Sequence, residues 1–95
     1  MIRLECHVTD KLIVNGEPLS AYSCPVALSI MESDQRIKHA FVSTNKASIQ
    51  WNDTDHLASI DLPANAVEFI ASFDRDKRVQ PISFILYIPD APPLV

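Results

Sequence analysis

Glycine is nearly absent: Gly16 is the single one in 95 residues. Loops that cradle phosphate need glycine, because only a backbone without Cβ lets the ligand approach closely. No Walker, dinucleotide-binding or nucleophile-elbow motif can be built around one glycine. A large group of enzymes is thereby disfavoured.

Cysteine is scarce as well. Cys6 and Cys24 are the only two, too few for a disulfide framework. They read as small apolar core residues in a reducing compartment. No apolar run reaches membrane-spanning length. The first residues, MIRLECHVTD, lack the apolar core of a signal peptide, which predicts a cytoplasmic protein without membrane contact. Basic residues are outnumbered, eight Lys and Arg against twelve Asp and Glu, for a net charge of -4. A dedicated nucleic-acid binder needs a basic face to neutralise phosphates, so direct nucleic-acid binding is not expected.

What remains is an ordinary globular composition. Hydrophobic residues make up 47% and charged residues 21%, which is wrong for disorder and right for one packed domain. Residues 1–95 form a single domain in this reading. The ending PDAPPLV, residues 89–95, reads as an extended proline-rich tail that cannot continue a ladder.

Period-two patterns dominate the chain. Ile2, Leu4, Cys6 and Val8 alternate with Arg3, Glu5, His7 and Thr9, giving a strand with one apolar face. Leu12 to Val14 run into Asn15-Gly16, a strong hairpin signal. In PVALSIM, residues 25–31, Val26, Leu28 and Ile30 share a face of a further strand. Residues 36–43 put Ile37, His39 and Phe41 on one side of the next strand. Ile49 with Trp51, and Ala58 with Ile60 and Leu62, mark two more. Residues 63–73 fit either period. As a strand, Val67, Phe69, Ala71 and Phe73 share a face. As a helix, Pro63 opens it and Val67, Ile70 and Ala71 form a stripe. The strand is preferred because the flanking segments are strands. ISFILYI, residues 82–88, is the clearest strand of all. The expected fold is all-β, an antiparallel sandwich or small barrel of about seven or eight short strands. The alternative is α+β with a short helix at 63–73.

Candidate sites are few. WNDTDH, residues 51–56, gathers an aromatic, two aspartates and a histidine. Calcium wants more oxygen ligands, and zinc wants a third and fourth ligand, from His7, His39 or a cysteine. Aspartate and asparagine that hydrogen-bond their own backbone in a turn account for the stretch without a metal. Ser23 or Cys24 with a histidine would begin a hydrolase, but nothing local supports that pairing. No catalytic residue, metal or cofactor is therefore expected, and the chain reads as no enzyme. DRDKR, residues 74–78, reads as a solvated tip, with Arg75, Lys77 and Arg78 available to an acidic partner.

The last strand is the most suggestive element. Ile85 and Tyr87 make its second face apolar too, and a chain this small has little material to cover it. The expected function is a non-catalytic protein–protein interaction module that self-associates, as a dimer or larger homo-oligomer, through Phe84, Ile85, Tyr87 and Ile88. A second reading is a small acidic inhibitor, in the style of phage accessory proteins. Its face of Asp53, Asp55, Asp61, Asp74 and Asp76 would imitate phosphates and dock on a basic nucleic-acid-binding protein. A third is a structural subunit of a larger assembly such as a virion or secretion apparatus.

Overall fold

The computed structural model describes residues 2–52 and 57–88. The proline-rich tail and most of WNDTDH, including Asp53, Asp55 and His56, lie outside the described residues. Five strands and three short helices alternate: β1 (Ile2–Val8), α1 (Asp10–Asn15), α2 (Pro25–Ser33), β2 (Ile37–Val42), β3 (Lys46–Trp51), β4 (Leu57–Asp61), α3 (Ala64–Asp74) and β5 (Ile82–Ile88). The strands form two antiparallel sheets, a β1–β5 ribbon and a β2–β3–β4 sheet. β4 comes alongside β5 without a shared ladder, so no closed barrel forms among the described residues. This is a small α+β fold, and the all-β expectation is corrected at three segments.

The first is the Asn-Gly hairpin, which is instead the end of α1. Thr9 is its N-cap, its hydroxyl accepting from the Leu12 amide at 3.4 Å, and Asp10 stands in the first turn. Gly16 closes the helix by donating its N–H to the Leu12 carbonyl at 2.8 Å. Its φ of -77° is open to any residue, so a type I′ turn, which needs φ > 0 at both centres, does not form. Glycine is needed for space. A Cβ here would lie 2.6 Å from Pro25 Cδ and Cγ.

The second is residues 25–31, which form α2. Cys24 caps it through Sγ, accepting from the Ala27 amide at 3.4 Å, and Pro25 occupies the first turn. The buried residues Val26, Ser29 and Ile30 follow helical spacing. The Ser29 hydroxyl donates to the Val26 carbonyl at 2.7 Å, which satisfies a polar group inside the core. α2 packs on β1 and on β2, so it joins the two sheets into one core with Leu4, Val8, Ile49 and Trp51.

The third is the ambiguous stretch, which is α3, the alternative period. Its core side is Ala66, Phe69 and Ile70, with Phe73 half-buried. β2 brings a smaller correction. A bulge between Ile37 and His39 shifts the register. Ile37, Ala40 and Val42 therefore face inward, while His39 is exposed and Phe41 half-buried.

Among the described residues, two non-glycine residues hold left-handed backbone, Leu19 (φ 60°) and Asp76 (φ 59°). Asp76 suits this conformation; Leu19 does not, and its side chain is 82% exposed. Leu19→Gly is expected to raise stability by about 0.5–1 kcal/mol, because relief of about 1–2 kcal/mol of backbone strain exceeds glycine's entropy cost. The midpoint of urea unfolding measures it; a lower midpoint would show that the leucine side chain is needed by the fold.

Candidate functional site

The outward face of the β1–β5 ribbon combines polar and apolar side chains. β1 presents Arg3, Glu5 and His7, and β5 presents Tyr87, Ile85 and Ser83 directly opposite. Alternation fixes this, since Leu4, Cys6 and Val8 on one strand and Phe84, Leu86 and Ile88 on the other fill the core.

The register explains how closely these side chains meet. The Asn65 side-chain amide donates to the Ser83 carbonyl at 3.0 Å. His7 stands directly opposite Ser83, Glu5 opposite Ile85 and Arg3 opposite Tyr87, close enough for their side chains to meet. His7 Nδ1 lies 2.9 Å from Ser83 Oγ. Arg3 holds Glu5 at 2.8 Å, and hydrogen bonding to Tyr87, then the charge of Glu5, raise the Arg3 pKa. Glu5, His7, Ile85, Pro63 and Asn65 border a shallow cleft of about 390 Å³ that crosses β5.

Of the four residues expected at the interface, Ile85 and Tyr87 lie on this outward face. Ile85 is 38% and Tyr87 55% exposed, whereas Phe84 and Ile88 belong to the core. This is a correction: alternation makes Phe84 and Ile88 unavailable to a partner. The pairing of His7 with Ser83 escaped sequence reasoning, and only the register of the first and last strands reveals it. A serine bonded to a histidine is the first part of a nucleophile–base pair. Among the described residues no acid hydrogen-bonds His7 to orient it, so the constellation stops there.

Of the expected acidic face, Asp61, Asp74 and Asp76 lie among the described residues. Asp61 pairs with Lys46 at 3.4 Å. Asp74 accepts the Leu19 amide at 2.9 Å. Asp76 sits in the turn after α3, donating its amide to the Phe73 carbonyl. His39 lies against Phe41, with centroids 5.9 Å apart. No group of three or more His, Cys, Asp or Glu that could hold a metal occurs among the described residues. Nor, among them, is any helix long and apolar enough to cross a membrane.

Both cysteines are buried free thiols. Burial pushes Cys6 up from 9.0 to about 11, and burial raises Cys24 too. This is the reverse of an activated nucleophile. Between pH 9 and 11 folded Cys6 holds a thiol proton that the unfolded chain releases. Stability from Cys6 is therefore complete below pH 9 and falls as pH rises toward 11. The expected outcome is a urea midpoint that declines over that window in wild type and less in Cys6→Ala, relative to each protein's value at pH 8. Equal declines would contradict it.

Compared with protein-family models, curated proteins and solved structures, the chain matches none of them.

Proposed function

We propose that this chain is a non-catalytic protein–protein interaction module that self-associates, most simply as a symmetric dimer, through the outward face of the β1–β5 ribbon. The observation that carries the reading is the exposure of Ile85 and Tyr87 on a strand whose inner face already fills the core. Exposed apolar pairs on a regular element are what an isologous interface uses. Among the described residues β1 and β5 pair only with each other, and a two-stranded ribbon is marginal by itself. Charge supports the same face. Arg3 and Glu5 neutralise each other there, so two copies of a chain of net charge -4 meet with little repulsion.

The acidic-inhibitor reading is weaker, because Asp61 and Asp74 are engaged within the chain. Assembly into a larger structure would use the same apolar face with further copies. The module belongs in the cytoplasm in this reading, where Cys6 and Cys24 stay reduced. Light scattering behind a sizing column tests the reading through the mass of the particle; a chain that stays single at high concentration would remove it.

A further inference from the structure

A second recess lies on another part of the molecule, between the end of α1, the loop at Pro18 and the turn after α3. It measures about 360 Å³. Ile13, Pro18, Phe73 and Val79 give it an apolar lining, and Asp76, Lys77 and Arg78 stand at its border. Ile13, Phe73 and Val79 pack on the core yet remain half-exposed, so the recess offers apolar surface rooted in the core.

Its margins are held in an unusual way. Leu19, next to Pro18, and Asp76, itself a wall residue, are, among the described residues, the two non-glycine residues with left-handed backbone. Asp74 accepts the Leu19 amide at 2.9 Å and so ties the loop to the end of α3. This fixes a leucine with 82% of its surface in water beside the recess, and Val14, next to Ile13, is 81% exposed. Leu19 contributes little to the core from there. Backbone strain that the fold does not need is a pointer to function.

The charge of the border completes the argument. Arg75, Lys77 and Arg78 are three of the eight Lys and Arg in the chain. Asp74 and Asp76 offset two of them, which leaves residues 74–78 with a net charge of +1. A positive rim on a chain of net charge -4 is complementary to an acidic ligand, and the lining is complementary to an aliphatic or aromatic side chain. We infer that this recess docks an acidic segment of a partner protein, anchored by one large apolar side chain against Phe73, Val79 and Leu19, with Lys77 and Arg78 meeting its carboxylates.

The test is selection of a phage-displayed random dodecapeptide library on the full chain, followed by affinity measurement of the selected peptides. The expected peptides carry two or more acidic residues next to a Leu, Ile, Phe or Trp. Their binding should fall at least tenfold in Lys77→Glu/Arg78→Glu, at least threefold in Leu19→Ala, and several-fold between low and high salt. All three side chains are exposed, and circular dichroism confirms that the variants fold. Ile85→Lys/Tyr87→Glu should leave this binding unchanged, which separates the recess from the ribbon face. Absence of enrichment, enrichment of peptides without acids, indifference to these substitutions, or displacement of the peptide by a single-stranded oligonucleotide would overturn the inference.

Discussion

Gly16→Ala is expected to destabilise the fold by about 2–3 kcal/mol, the scale of an overpacked site. The cost is not conformational. Gly16 has a φ of -77° and ψ of 157°, which alanine adopts freely, and alanine would by itself favour folding by restricting the unfolded chain. The cost is steric. The new Cβ would stand 2.6 Å from Pro25 Cδ and Cγ and 2.9 Å from the Leu12 carbonyl oxygen. Neither neighbour is a flexible side-chain end. Pro25 is a closed ring, buried in the first turn of α2. The Leu12 carbonyl accepts the bond that closes α1. Relief requires α1 to move off α2, and α2 is the helix that packs on both sheets. Urea unfolding should show the midpoint falling by about 2–3 M, given a slope near 1 kcal/mol/M for a small domain. Adding Pro25→Ala should recover part of the loss, as expected for residues in contact. An unchanged midpoint would mean that α1 and α2 do not meet as described.

Ile85→Lys/Tyr87→Glu is expected to weaken self-association by a hundredfold or more, since removing two central apolar anchors costs about 2 kcal/mol or more each. The substitutions follow the register. Ile85 stands opposite Glu5, and Tyr87 opposite Arg3. The new lysine faces a carboxylate and the new glutamate faces a guanidinium, each favourable by about 0.2–1 kcal/mol as a cross-strand pair. The net charge of the chain does not change. The substitutions therefore keep complementary pairs across the ribbon and add no net charge to repel the copies. Sedimentation equilibrium of both proteins reads the result directly. Equal association constants would place the contact elsewhere.

The strands were legible where alternation is strict. β1 and β5 bury every second residue, and sequence alone identifies both of their faces. The helices were obscured by a shared property of short apolar segments. In PVALSIM the positions Val26, Leu28 and Ile30 satisfy period two, with Ser29 on the opposite face of such a strand. The buried set Val26, Ser29 and Ile30 emerges only when the helix packs on two sheets at once. The local signals for these helices were present. Thr9 precedes Asp10 before α1, Pro25 opens α2, and Pro63 precedes α3, each a mark of a helix start. Asn15-Gly16 pulled the other way, because a glycine needed for clearance from Pro25 looks like a glycine needed for a turn. The bulge in β2 was not legible. It reverses the side on which His39 lies, through one extra residue that no pattern of apolar positions betrays. The candidate face was legible at Ile85 and Tyr87. Its polar half, with His7 on Ser83 and Arg3 against Tyr87, depends on joining the first strand to the last across 76 residues, which sequence spacing does not specify.

The most direct measurement is the absolute mass of the chain in solution by light scattering, at low and high salt. Each chain weighs 10.6 kDa. A particle of at least two chains at both salts is the predicted result, because an apolar contact is not screened by salt. Ile85→Lys/Tyr87→Glu should return it to one chain. A 10.6 kDa particle at both salts, at concentrations well above micromolar, would contradict self-association through the β1–β5 face.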